Sequence, residues 1–244
     1  MRQLILKNIY SFVSIIEDFV DRGERFYNFD EDFFIEASLK FSKETLLHQY
    51  IFVCLLNYHR QDFRANGDLF DEDPYDYWEN LFFSYKVDMK LPEFSDEYLA
   101  FDWINDNQDV FESLFEKITD EVFFILFSNR ELLLNFNLLT ALEVKEVVYP
   151  DSALTENGTI KRCRLPAWVK QAVFHRDKGR CVFCNTDLTG IVNTLIVKNF
   201  DHILPLDLFG ANDVSNMQLT CEKCNKKKSN SQAKTGKKYQ PWWS

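Results

Sequence analysis

Four cysteines fall in two pairs of identical spacing, Cys181-Val-Phe-Cys184 and Cys221-Glu-Lys-Cys224. Each C-x-x-C turn can present two thiolates to one tetrahedral ion, and two such knuckles complete a four-sulfur site suited to zinc. Four buried thiols without an ion are the bland alternative. A site closed by four protein thiolates leaves no position for a substrate, so the zinc would be scaffolding and the chemistry must lie elsewhere. Between the pairs stand Phe200-Asp201-His202-Ile203-Leu204-Pro205 and Asn216, and Asn225 directly follows the last cysteine. Adjacent on a strand, Asp201 and His202 point to opposite faces. A hard cation such as magnesium takes oxygen ligands. The Asp201 carboxylate and the Asn225 amide oxygen can supply them if strand and helix pack together, which leaves His202 as a general base near neutral pH. Taken singly, an Asp-His pair is often a surface hydrogen-bonded pair and Asn216 an ordinary turn residue. Their coincidence with the cysteine frame argues for a site.

Taken together, Asp201-His202, Asn216 and Asn225 framed by the four cysteines resemble the HNH endonuclease motif. Asn216 lies fourteen positions after His202 and Asn225 nine after Asn216, a spacing similar to that of the HNH domains of RNA-guided nucleases. Arg176-Asp-Lys-Gly-Arg180-Cys181 resembles the family's entry into its first knuckle, and Asp201-His-Ile-Leu-Pro-Leu resembles its first catalytic strand. The third motif letter is Asn225 rather than His, a variant the family also uses. The resemblance covers about residues 164–230, roughly a quarter of the chain. It implies a ββα-metal fold, with strands near Ile196–Ile203 and Met217–Cys221 and a helix from about Glu222. It also implies roles. His202 activates water, Asp201 and Asn225 hold one Mg2+ or Mn2+, and Asn216 fixes the loop that aims His202. The substrate it implies is DNA, double-stranded, and the setting it suggests is an effector of a restriction or anti-phage defence system.

Charge supports a division of the chain. The net charge of −10 is unevenly held: residues 1–160 carry −19 and residues 161–244 carry +9. The basic part suits a phosphate partner, and the acidic part could repel or mimic nucleic acid. Lys226, Lys227 and Lys228, on a helix beside the metal site, could neutralise flanking phosphates or form a solvated helix face. Arg176 and Arg180 are further candidate phosphate contacts, although a structural role for the His175-Arg176 pair is equally open. The tail from Lys234 to Ser244 mixes cations and aromatics, and could clamp a nucleic-acid backbone or fold back over the domain.

The elements that must position these groups follow from periodicity. Ile5, Ile9, Phe12, Ile16 and Phe19 predict a helix from about Leu4 to Arg22; Leu47, Ile51, Cys54 and Tyr58 predict another from about Ser42. Phe111, Leu114, Phe115 and Ile118 mark a third, and Val144, Val147 and Val148 end a fourth. Pro166 to Phe174 reads as a short helix with Pro166 in its first turn. Most of the 24 Phe are read as core rather than as a recognition surface. Phe70 to Trp78, acidic and aromatic around Pro74, reads as an exposed loop. His48 and His59 read as ordinary helix histidines. Asn157-Gly158 signals a turn. No stretch is long and apolar enough to span a membrane, and no signal-peptide cleavage site is visible. Six cysteines, four at metal spacing, argue for a reducing cytoplasm.

The expectation is an α+β chain in four parts: an acidic helical domain over 1–150, for regulation or docking of a protein partner; a linker over 151–162; an HNH nuclease domain over 163–232; and a basic aromatic tail over 233–244. The competing reading is a non-catalytic zinc module that binds nucleic acid or protein with a degenerate nuclease site.

Overall fold

The computed structural model of the protein describes residues 4–6, 9–26, 29–65, 74–90, 97–190 and 198–239. The described residues form nine helices: α1 Ile9–Arg22, α2 Glu31–Leu39, α3 Leu46–Ala65, α4 Pro74–Tyr85, α5 Glu97–Asp106, α6 Gln108–Leu126, α7 Arg130–Glu146, α8 Ala167–Arg176 and α9 Glu222–Lys228. Two strands, β1 Lys198–His202 and β2 Met217–Cys221, pair antiparallel, with Asp201 opposite Gln218 and His202 opposite Met217. The α+β class read from the sequence is the class observed. No single helix among the described residues is long and apolar enough to cross a membrane.

Local chemistry explains where the helices start. Asp30 caps α2 by accepting from Phe33 N at 3.1 Å, and Asn129 caps α7 by accepting from Leu132 N at 3.2 Å. Thr45 Oγ1 accepts from His48 N at 3.1 Å at the start of α3, and the His48 ring bonds back to the same hydroxyl. The expected first helix begins at Ile9, not Leu4. The Ile5 and Leu6 N–H groups donate to the Glu121 carboxylate, and Leu6 has φ 52, which no α-helix accommodates. From Ile9 the apolar stripe is as expected, with Ile9, Phe12, Val13, Ile16 and Val20 buried. Pro74 opens α4, where its fixed φ and missing N–H do no harm. Pro74 to Trp78 is therefore helix rather than loop, and Trp78 is core; residues 70–73 lie outside the described residues. Pro166 caps α8 from outside instead of occupying its first turn.

Two compact units emerge. One comprises Met1–Ile16 and Tyr50–Phe124. Its core is aromatic: Trp78 packs edge-on against Phe111, and His59 lies within 6 Å of the rings of Phe12, Tyr58, Trp78 and Phe115.

The other comprises Glu17–Gln49 and Ile125–Ser244. Its C-terminal core gathers Val169 and Val173 of α8 with Cys181, Leu188, Val214, Met217, Leu219 and Cys221. Phe41 and Phe127 cover this cluster. Asp213, fully buried, accepts from Leu46 N at 3.0 Å, and Asn212 N donates to Ser38 O at 2.9 Å. These contacts draw Glu17–Gln49 into the unit that holds the cysteines, so the division into compact units does not follow a boundary at 150–162. Residues 151–162 are themselves folded, with Leu154 bridging Ile160 across the Asn157-Gly158 turn, where Gly158 takes φ 73.

The tail folds back as far as it is described. Arg130 at the start of α7 donates to the carbonyl oxygens of Gly236 and Lys238, and Tyr239 stacks under its guanidinium at 4.2 Å. Lys234 N donates to Ile203 O at 3.1 Å. A Cβ at Gly236 would collide with the Val182 carbonyl, so only glycine lets the tail run this close to the first knuckle.

Candidate metal centre and active site

The two knuckles are held in register by the sheet. Val182 N donates to Leu219 O at 3.0 Å, which ties the first knuckle to β2. Asn185 N donates to Cys181 O at 2.8 Å, with Asn185 in the left-handed region at φ 61, and so closes the turn. On the other side β2 ends at Cys221, which caps α9, and Cys224 sits in that helix's first turn. The four sulfurs consequently lie within 4.8 Å of one another, and Cys184 Sγ is 3.7 Å from Cys221 Sγ. A tetrahedron with metal–sulfur bonds of about 2.3 Å has edges of about 3.8 Å, so the four cysteines could hold a metal such as zinc. None of the six cysteines is in a disulfide. Burial raises the Cys181 and Cys224 thiols. Burial also opposes ionisation of Cys184, but hydrogen bonds from the Thr186 hydroxyl and backbone and from neighbouring thiols outweigh it and bring Cys184 down to about 6, toward the ligating thiolate.

The histidine lies at the end of β1. His202 is 2 % exposed, and neither ring nitrogen has a hydrogen-bond partner. Burial, then the positive charges of Arg162 and Lys228, push its pKa down to about 3; the nearby Asn212 amide, whose own hydrogen bonds go to Leu39, Lys161 and Cys163, opposes this without bonding the ring in hydrogen-bond geometry. The ring is therefore neutral near pH 7, but a weaker base than the general base near neutral pH expected from the sequence, because burial and two cations disfavour its protonated form. It forms part of the wall of a pocket of about 170 Å3, shared with Asp201, Arg162, Thr155, Asp207 and Asn230.

Asp201 is already bound by protein groups. Gln218 Nε2 donates to its Oδ2 at 3.0 Å and to Lys234 O at 3.0 Å, so one amide nitrogen uses both hydrogens to fix the carboxylate against the tail. Lys228 Nζ lies 3.1 Å from the same Oδ2 and donates to His202 O at 2.7 Å. Burial lowers the pKa of Lys228, and Asp201 opposes that. Gln218 was not legible as a partner in the sequence, since only the strand register sets it opposite Asp201. Asn225 stands on α9, which packs on both strands, and its side chain makes no hydrogen bond with the described residues. Asp201 and Asn225 stand on adjacent elements and both carry oxygen donors of the kind a hard divalent ion takes, but Asn225 does not line the pocket that Asp201 shares with His202.

Asn216 closes the loop between the strands. Its Oδ1 accepts from Leu204 N at 2.8 Å, and its Nδ2 donates to Leu204 O at 2.9 Å and Ala211 O at 3.0 Å. The side-chain amide thus pairs with the main chain two residues after His202 as a strand would. Gly210 has to be glycine here, because a Cβ would strike the Leu204 carbonyl and crowd the Asn216 amide.

The expected phosphate contacts divide. Arg176 is buried: its Nε and Nη2 form a fork onto Asp177 at 3.0 and 2.9 Å, and Nη2 also donates to Met217 O at 2.6 Å. Asp177 in turn accepts from Leu219 N at 2.8 Å, so the pair braces β2. Lys228 faces Asp201, not solvent. Arg180 lies partly exposed with one guanidinium nitrogen on Asn185 O at 3.1 Å. Lys226 and Lys227 are exposed, and Lys226 pairs with Glu222 one turn earlier. Lys234 to Tyr239, the described part of the tail, is docked on the protein; residues 240–244 lie outside the described residues.

Comparison with known proteins gives one match. Residues 193–231 match the model of the family described as HNH endonuclease, a segment that contains Asp201, His202, Asn216 and the second knuckle but begins after the first. No curated protein and no solved structure matches the chain. The match points to nuclease-type chemistry on a nucleic acid, and over those residues the chain carries a domain of the HNH endonuclease family.

Proposed function

We propose that the chain is a metal-dependent endonuclease that hydrolyses phosphodiester bonds in double-stranded DNA, with residues 163–232 as the nuclease segment. The observation that carries the reading is His202. A buried imidazole with both nitrogens unpartnered, in the wall of a pocket it shares with Asp201, is costly unless something else meets it there. In this reading water fills that role. A ring nitrogen of His202 takes a proton from the water, the water oxygen forms the new bond to phosphorus, and the bond from phosphorus to the leaving oxygen breaks with its electron pair on that oxygen. Asp201 and Asn225 would hold a divalent cation, Mg2+ or Mn2+, which would supply charge neutralisation for the phosphate. Asn216 keeps the residues after His202 fixed. Zinc at the four cysteines holds β2, α9 and the first knuckle together and takes no part in the chemistry.

The acidic residues 1–150 fit a regulatory or partner-docking role, in the cytoplasm and in the service of anti-phage defence. The competing reading, a zinc module that binds without cutting, draws on Lys228, whose ammonium already neutralises Asp201. Supercoiled-plasmid cleavage with Mg2+ or Mn2+ tests both. We expect nicking by the wild type and none by His202→Ala at equal zinc content. Equal cleavage by the two would remove His202 as the base, and no cleavage under any metal would favour the binding module.

A further inference from the structure

The pocket beside His202 is completed by a residue outside the matched segment. Arg162 precedes the first knuckle, yet its side chain lines the same pocket as Asp201 and His202. Its placement is fixed by one buried side chain. Asn212, fully buried in the loop between the strands, donates from Nδ2 to Lys161 O at 2.9 Å and accepts at Oδ1 from Cys163 N at 3.4 Å. The amide therefore bridges the two residues flanking Arg162 as an adjacent strand would, and holds the Arg162 backbone at the rim. A second bond from Nδ2 to Leu39 O at 3.2 Å and the Lys161 N bond to Ala153 O at 2.9 Å brace this arrangement.

The guanidinium itself is exposed and makes no ion pair or hydrogen bond with any described residue, although Asp201 and Asp207 line the same pocket. A positive fork with no internal partner, anchored through its neighbours and lining the same pocket as His202, is what a phosphodiester requires: two donors for the non-bridging oxygens beside the proposed base.

We propose that Arg162 binds the scissile phosphate at this site, a role that rests on the nuclease reading above. Arg164 provides the control. It carries the same charge two residues along and is equally exposed, but it does not line the pocket. Full-length wild type, Arg162→Ala, Arg162→Lys and Arg164→Ala would be compared in single-turnover cleavage of a labelled DNA duplex. Loss of a donor that stabilises developing charge lowers rates about 10²–10³-fold. Arg162→Ala is expected to fall in that range, Arg162→Lys to recover part of it, and Arg164→Ala to stay within about threefold. Melting temperatures should match across the set. If Arg162→Ala and Arg164→Ala behave alike while the wild type cuts, Arg162 has no special role and the nuclease reading stands.

Equilibrium binding decides the matter independently of turnover. In the His202→Ala background, fluorescence anisotropy with the same duplex at several salt concentrations is expected to give about a tenfold weaker Kd for Arg162→Ala. The salt slope should fall by about one. An unchanged Kd and slope would overturn the proposal even if no variant, wild type included, cuts.

Discussion

His59 and His202 are both about 2 % exposed, and burial lowers the pKa of both, to about 4 and about 3. Their surroundings differ. His59, in the aromatic unit, has its Nδ1 2.7 Å from Leu55 O and four rings around it. His202, at the end of β1, has no hydrogen-bond partner on either buried nitrogen and lines a pocket. Burial and a shifted pKa are therefore shared by a core histidine and by the best candidate for a catalytic one. What separates them is polar capacity left unused beside a cavity. The same contrast extends to the two units. Both contain interlocked rings, Phe26, Phe29, Phe34 and Phe136 in the second, but the second adds a small sheet, two knuckles and a set of buried polar braces.

The largest effect that would sharpen this contrast is loss of metal. Zinc sites of this type contribute on the order of 10 kcal/mol of apparent folding free energy. Cys221→Ser, or chelation of the wild type, is expected to remove amide-exchange protection from Met217–Cys221 first, while α4 around Trp78 keeps its protection longer. Simultaneous loss at both would break the distinction between the units. Next comes the histidine pair. His202→Ala should lower cleavage per folded molecule about 10²–10⁴-fold. His59→Ala should destabilise by about 3 kcal/mol, as large-to-small core changes do, and leave the cleavage rate per folded molecule intact. A cleavage defect in the His59 variant would erase the comparison.

A smaller effect concerns pH. Because the folded-state pKa of His59 lies below the ordinary value near 6.5, the unfolded chain binds the extra proton first. The stability contributed by the neutral ring is thus present above about pH 6.5 and declines as pH falls toward 4. Between pH 7 and 5 this amounts to about 2 kcal/mol, read as a falling denaturation midpoint. His59→Phe should remove about that share of the decline and leave a similar share due to His202, whose pKa is also lowered. Smallest of all, Lys226→Ala and Lys227→Ala should each change stability by less than about 0.5 kcal/mol, given their exposure, and lower the salt slope of DNA binding by about one.

Much of the site was legible because its signals are local. C-x-x-C spacing, Asp201-His202 and the run from Met217 into Glu222 are all set within a few residues, and β2 and α9 begin where the sequence placed them. What was not legible depends on partners far along the chain. Lys228 reads as one of three equivalent lysines until α9 is laid on β1, which turns it inward to Asp201 while Lys226 and Lys227 stay in solvent. Arg176 looks like a phosphate ligand until Asp177 and Met217 claim its donors. Arg162 shows no motif at all; its position depends on Asn212, fifty residues later. The recruitment of Glu17–Gln49 rests on Phe41, Leu46 and Ser38, none of which carries a periodic signal that distinguishes one core from another.

The close passage of Gly236 over Val182 has a thermodynamic consequence. Val182 lies between the two cysteines of the first knuckle, so the C-terminal segment rests directly on the turn that would grip the ion. The segment and the ion then behave as two ligands of one turn. Reciprocity requires that whatever factor the docked segment adds to ion retention, the ion adds to docking of the segment. A chain clipped after Ala233 should therefore surrender its metal faster than the intact protein.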